Sequence, residues 1–483
     1  MTQFALYEMP KKECRRVAIS VPIPKWLPPS LALWLRQRMA ERPEGMTVAT
    51  RFSKGERAAM KRRRPVPISA WAEKHRVLEM SAIRGRWRNV FTPYLTGIMD
   101  VSGLPGVETV IICKSPQTGG SECGHNIVGY CIDRLPGPVM YVFPDELTAR
   151  ENAKDRIIPM IEASPRLRQY MTGYGDDASS LRINLLHMPI SLGWSGSVSR
   201  LGNKPIRILI LDELDKYKNP KNEASSESLA EKRTTTWRTR RKVVKISTPT
   251  TEDGPIWKAL IEEAGARFDF WVRCPHCGFF QHMDFERIAW PGKDEEKSPD
   301  AETVLAKRLA TYACEYCGTV WDDGDRDRAV RGGEWRERTS GLELMAHATV
   351  HRPVKVGFHI PAWLSYFVSL SEVAHAWLKY KESGKLDDLK NFRNQYAAEP
   401  WVEAHAARSS PCATTAHAGR FPARWTEKSG YPSFWPRWTR SSTISGTSSG
   451  PTAMAKPRRA GSWRPARRTT SRRWRKSCSG AST

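Results

Sequence analysis

Between Pro65 and about Pro255, short apolar runs such as "TVIICK", "VMYVF", "IRILILD" and "KVVKIS" alternate with amphipathic stretches. Strands of four to seven residues separated by helical patterns imply βαβ units, so the expected fold class is α/β, a mainly parallel sheet with flanking helices. No internal repeat interrupts this pattern. The 483 residues leave room for two or three domains, and 40% hydrophobic content is ordinary for a folded chain.

One strand runs straight into "IICKSPQTGGSE", Ile111 to Glu122. A strand over Glu108 to Cys113 leads to a loop, Lys114 to Gly120. A helix follows, with Ile127, Val128, Cys131 and Ile132 on one face until Pro136-Gly137 stops it. Backbone N–H groups at such a helix start favour phosphate, and a Ser in its first turn, Ser121, holds Mg²⁺ in P-loops. The usual Gly-Lys-Ser/Thr ending is missing, so Lys114 would have to reach in from the front of a loop that also contains Ser115, Thr118, Gly119 and Gly120. Alone, this stretch is equally a strand and a turn. About ninety residues on, "IRILILDELDKY" ends an apolar strand in Asp212-Glu213. The spacing suits a Walker B pair, Asp212 binding Mg²⁺ through water and Glu213 orienting or activating the attacking water. A strand that ends at an acidic surface turn is the bland alternative. A third strand, "KVVKIS", runs into the polar turn Thr248-Pro249-Thr250. Together these point to a P-loop NTPase that hydrolyses ATP.

Two cysteine pairs carry other chemistry. Cys274-x₂-Cys277 and Cys314-x₂-Cys317 are each followed by Gly, Gly278 and Gly318, which lets the backbone turn tightly enough to aim two thiolates at one ion. Four sulfurs suit a tetrahedral structural Zn²⁺ with no open position for water. A redox pair or free thiols would be the alternative, and nearby His276 and His282 read as solvated. The other six cysteines are scattered, as in a reducing compartment.

The 77 Lys+Arg against 51 Asp+Glu give a net charge of +26, which fits a polyanionic partner such as DNA. No run of about 20 apolar residues is present, so the expected location is a cytoplasm with no membrane contact. The charge is uneven. From Ala404 to Thr483 there are 16 Lys+Arg and one acidic residue, Glu427, with no Leu or Val and five Trp. Such a tail cannot build a core and is expected to be disordered. It reads either as a basic DNA-binding arm or as an out-of-frame translation of GC-rich DNA, and the second accounts for more of its composition. The expected organisation is an N-terminal arm or accessory segment over 1–64, an ATPase domain over 65–260, a zinc-knuckle insertion over 261–345, a linker over 346–403 and the basic tail over 404–483.

As a set, "PYLTGIMD", "KSPQTGGSE", "YVFPDELTARENAKDRI", "ILILDELDKY", "KISTPTTEDGPIW", "CPHCG" and "CEYCG" resemble the large terminase subunit of tailed phages, of the lambda GpA-like type. The resemblance covers about Pro65 to Glu403. It implies an ATPase motor that drives double-stranded DNA into a procapsid and cuts it with a C-terminal nuclease. The implied cofactors are ATP and Mg²⁺, and the implied partners are a small terminase subunit, a portal and further copies of the chain, in the host bacterial cytoplasm. By position, Lys114 and Ser121 resemble the Walker A lysine and Mg²⁺ hydroxyl, and Asp212 and Glu213 resemble Walker B. Ser247-Thr248-Pro249 is similar to the coupling motif, and Pro93-Tyr94 lies where an adenine contact is expected. Two departures stand out. The loop offers Gln117 where terminases often carry Arg, and Glu122 puts a negative charge where many P-loops carry a positive one, which would weaken phosphate binding. Because no Asp follows Asp388, the nuclease activity is expected to be lost. A helicase or other P-loop translocase outside packaging, or a zinc-containing DNA-binding protein with a dead ATP site, are the other readings.

Overall fold

The structure is a computed structural model that describes residues 28–40, 66–79, 81–221, 223–293 and 300–402. The expected tail and most of the N-terminal segment lie outside these residues. Within the N-terminal segment, Pro29–Ala40 forms a helix.

One twisted sheet organises the chain. Its seven parallel strands are β1 (Thr109–Lys114), β2 (Val139–Phe143), β3 (Pro189–Trp194), β4 (Ile208–Asp212), β5 (Lys242–Ser247), β6 (Ala266–Arg273) and β7 (Lys355–Ile360). Their order in the sheet is β6-β7-β1-β5-β4-β2-β3. Short antiparallel strands finish both edges, Phe280–His282 and Glu334–Glu337 on β6, and Arg182–Asn184 with Ala178–Ser179 beyond β3. Every residue of β1, β2, β4 and β5 is buried, which is why β1, β2 and β4 read as largely apolar runs rather than alternating ones, while β5 buries Lys242 and Lys245 among its Val and Ile residues. Strand β6 alternates buried and half-exposed residues, as befits a strand with one wetter face.

The parallel α/β expectation therefore stands, but the sheet reaches further than the expected ATPase segment. Strands from the ranges 65–260, 261–345 and 346–403 hydrogen-bond side by side, and β7 sits directly against β1, with Lys355 opposite Thr109 and Ile360 opposite Lys114.

Two helices frame the front of β1. Helix α1 (Tyr94–Ser102) buries Leu95, Ile98 and Met99, and helix α2 (Gly120–Arg134) follows the loop after β1. Ile127, Val128, Cys131 and Ile132 are all buried, as the sequence pattern required, and Cys123 to Asn126 are buried as well. Helix α2 is thus enclosed rather than amphipathic. A second apolar layer on the sheet gathers Ile111, Leu209, Leu211, Val243, Ile256 and Leu260.

Candidate nucleotide site and metal centre

The carboxyl ends of parallel strands are where open α/β sheets bind ligands. There, beyond β1 and β4, lies a cavity of about 550 Å³ whose floor includes Lys114, Gly119, Gly120, Ser121, Asp212 and Glu213. Six expected site residues, separated in sequence, therefore meet in one place.

Lys114 is the last residue of β1 and is 5% exposed. Its side chain folds back over the start of α2, where a Cβ added to Gly120 would come within 2.4 Å of Lys114 Cδ and 2.7 Å of Cε. Only glycine lets the lysine cross there. This contact explains the unusual sequence: the position where most P-loops carry Lys must be empty when the lysine comes from the front. Behind the loop, Thr118 donates from its hydroxyl to the Ser115 carbonyl at 2.8 Å, and the Tyr94 hydroxyl donates to the Thr118 carbonyl at 3.0 Å. Ser365, in the segment after β7, donates to the Gln117 carbonyl at 3.0 Å. Gln117 itself is held at a φ of 58°, in the left-handed region.

Asp212 and Glu213 close the other side. Asp212 is 3% exposed, shares the cavity lining with Ser121 and accepts from the Glu213 N–H at 3.1 Å. Burial pushes its carboxyl above the usual aspartate range, with Lys114 pulling the other way. Glu213 has a φ of 56°, a strained backbone for a non-glycine residue. That turn aims its carboxylate at Lys114 Nζ, 3.8 Å away, and at Lys216 Nζ, 2.8 Å away. Burial opposes its ionisation, but these two lysines outweigh it and hold the carboxyl below the ordinary value.

Several expected residues sit elsewhere. Pro93 and Tyr94 do not line the cavity; Trp87, Phe91 and Thr92 do, while Tyr94 is fully buried and braces the loop from behind. Ser115 and Thr118 are buried under the loop, and Ser247, Thr248 and Pro249 lie at the end of β5 off the cavity wall. Glu122 does not stand as a bare negative charge. Arg76 Nη2 is 2.9 Å from Oε2, and Arg156 Nη1 and His125 Nδ1 are 3.2 Å and 3.3 Å from Oε1. Burial works against ionisation of Glu122, yet His125 and the two guanidiniums bring its carboxyl down to about 2. The negative charge that stood alone in the sequence is thus paired in the structure. Sequence reasoning missed Arg76, which lies in no quoted motif, and Arg156, which lies inside "YVFPDELTARENAKDRI" but was given no role there, and it missed Asp215, which bonds Thr250 and Ile256.

The second site is built by two matching turns. Cys274 N–H donates to the Phe279 carbonyl and Gly278 N–H to the Cys274 carbonyl; Cys314 and Gly318 repeat this with Thr319 and Cys314. Gly278 and Gly318 have φ of 75° and 68°, conformations that favour glycine. The Sγ atoms of Cys274, Cys277, Cys314 and Cys317 all lie within 4.8 Å of one another, with Cys274 to Cys317 at 3.9 Å and Cys277 to Cys314 at 3.8 Å. Tetrahedral Zn²⁺ with Zn–S bonds of about 2.3 Å requires sulfurs about 3.8 Å apart. The donor set therefore fits zinc. Among the described residues it is the one group of three or more His, Cys, Asp or Glu side chains that could hold a metal. Neither His276, 3.5 Å from Asp325, nor His282, 2.7 Å from Asp284, belongs to it.

The family profile of the phage terminase large subunit gpA, ATPase domain, matches residues 81–335, more than half of the chain. The chain belongs to that family. A profile of the terminase large subunit gpA endonuclease domain matches residues 355–424, so the resemblance does not end at about Ala404 as expected but runs on to 424. Relatives include the terminase large subunit of Enterobacteria phage P21, 25% identical over 70% of this chain and 54% of that protein, and that of Escherichia phage lambda, 24% identical over 70% and 53%. The chain spans about half the length of these curated relatives. The large terminase ATPase domain of Thermus phage P74-26 covers 61% of this chain and 88% of its own at 12% identity, with a TM-score of 0.30, too low to bear on the fold. No helix among the described residues is long and apolar enough to cross a membrane.

Proposed function

We propose that this chain is an ATP-hydrolysing motor of phage DNA packaging, coupling hydrolysis to movement of double-stranded DNA into a procapsid. The observation that carries the reading is the Lys114 side chain lying across Gly120 at the start of α2, with Ser121 and Asp212 in the same cavity lining. A cradle that a single Cβ would fill, with a buried lysine at its back, fits a polyphosphate. Mg²⁺–ATP, when bound, supplies the scissile phosphoanhydride and the cation that draws off its charge. Lys114 and the backbone N–H groups of Gly119 to Ser121 neutralise phosphate. Ser121 and Asp212 hold Mg²⁺. Glu213, kept ionised by Lys114 and Lys216, accepts a proton at a carboxylate oxygen from the attacking water.

Ser247, Thr248 and Pro249 are the coupling segment of this proposal, and the four thiolates of Cys274, Cys277, Cys314 and Cys317 hold a structural Zn²⁺ that pins the 261–345 region. The small terminase subunit, the portal and further copies of this chain are the proposed partners, in the host cytoplasm. The sixteen cations after Ala404 give DNA a salt-sensitive hold, whatever frame they come from. Cleavage is not part of this proposal, since the endonuclease profile matches only residues 355–424 of the chain. ATP hydrolysis measured with and without double-stranded DNA tests the motor: DNA should stimulate it, and Lys114→Ala should abolish it. Equal turnover in Lys114→Ala and the parent would sink the assignment.

A further inference from the structure

Glu122 draws two guanidiniums of very different exposure. Arg76 is 3% exposed and approaches Oε2 at 2.9 Å, which already neutralises the carboxylate. Arg156 adds a second guanidinium on Oε1 at 3.2 Å, using Nη1, while its side chain stays 49% exposed. A guanidinium has five N–H donors, so most of this one remains available. Arg156 and Glu122 both lie on the cavity wall.

The local backbone puts it there. Helix α3 (Glu146–Asn152), capped by Asp145, continues through a π-turn at Ala153–Ile157 before Ile158–Ala163 resumes α geometry. Ala153 and Ile157 are buried and anchor the bulge, leaving Arg156 outside. Thr148, Asn152 and Arg156, four residues apart, form one wall of the cavity. Glu122 follows Ser121, so its grip fixes the guanidinium beside the first turn of α2, where the helix N-terminus already favours anions. A half-exposed Arg–Glu pair by itself contributes little to stability.

Resting on the nucleotide-site reading above, we infer that Arg156 is a ligand of the nucleotide's phosphate chain, supplied by the chain itself and positioned by Glu122. Glu122, instead of repelling phosphate, serves as the holder of this cation.

The test is displacement of a fluorescent ATP analogue from the full-length protein by ATP and by inorganic tripolyphosphate, with Mg²⁺ present. Arg156→Ala should weaken both competitors by about tenfold or more, the loss of a charged hydrogen bond. Arg156→Lys should lose less, and Arg150→Ala, an exposed arginine of the same helix paired with Glu146, should lose nothing. The melting temperature of Arg156→Ala without nucleotide should match the parent. Unchanged affinity in Arg156→Ala overturns the inference. So does a loss confined to ATP, with tripolyphosphate displacing parent and variant alike or not at all, and so does an equal loss in Arg150→Ala. A parent that does not bind the analogue brings down the nucleotide site itself, whereas a parent that binds it beside an unaffected Arg156→Ala refutes Arg156 alone.

Discussion

Asp215 fastens the turn after β4 to the turn after β5: its carboxylate accepts from the Thr250 N–H at 2.8 Å and the Thr250 hydroxyl at 2.9 Å. The same carboxylate takes the Ile256 N–H at 2.8 Å, and the Asp215 N–H donates to the Ser247 hydroxyl at 3.1 Å. Three residues past Asp212, one side chain thus ties the candidate Mg²⁺ carboxylate to the candidate coupling segment. Burial raises its pKa while these bonds lower it, and burial prevails.

Asp215→Ala should therefore act on two levels. It strands the Thr250 and Ile256 N–H groups, so urea unfolding should show a loss of roughly 2–4 kcal/mol. If the turn after β5 transmits the state of the site, the variant should also bind ATP as the parent does yet lose stimulation of hydrolysis by DNA. Full stimulation in a folded Asp215→Ala protein would remove the coupling role.

Lys114 and Glu213 should separate binding from chemistry. Lys114→Ala removes the buried cation that lies over Gly120, and it should abolish both nucleotide binding and turnover. Glu213→Gln keeps the shape of the site but removes the proton acceptor, so ATP should still bind while hydrolysis falls by about 100-fold or more. Binding by fluorescence and turnover by phosphate release read the two effects independently. A Glu213→Gln protein with normal turnover would move the proton acceptor elsewhere.

The parts of this site that could be read from sequence are those carried by local patterns. The apolar run before Lys114, the run before Asp212 and the two Cys-x₂-Cys turns each announce themselves within a dozen residues. What could not be read depends on partners far along the chain. "KVGFHI" carries an ordinary strand pattern, but nothing in it says that Lys355–Ile360 pairs with β1, some 240 residues earlier. Glu122 looked like a defect because Arg76 and Arg156 come from other elements and only the folded chain brings them to its two oxygens. Tyr94 lies where the resemblance implies an adenine contact, yet its ring is fully buried, edge-on to Phe270 with centroids 6.2 Å apart, and Trp335 Nε1 donates to its carbonyl at 2.7 Å.

The four-cysteine cluster makes a compositional prediction. Purified protein should contain about one zinc per chain, and a strong chelator should lower the melting temperature. Cys277 is exposed, so Cys277→Ser removes a ligand with little loss of apolar packing, and any destabilisation can be assigned to the metal. Metal-free protein of unchanged stability, measured by elemental analysis beside thermal unfolding, would rule the site out.

Glu122 gives the pH dependence its sign. Its carboxyl is held at about 2 in the folded protein against an ordinary 4.5, by His125, Arg76 and Arg156 acting against the cost of burial. A depressed folded value means the unfolded chain takes up the proton first. The stabilisation is complete above pH 4.5 and fades as pH falls toward 2. That difference corresponds to roughly 3–4 kcal/mol at most, less whatever solvent screening removes. Glu122→Gln should therefore be less stable than the parent at pH 7 by up to that amount, and the gap should stay level down to about pH 5 and then close. Denaturant titrations of the two proteins from pH 7 to pH 3 measure it directly. A gap that widens on acidification would mean that the carboxylate repels its surroundings, and that the two guanidiniums do not hold it as their geometry requires.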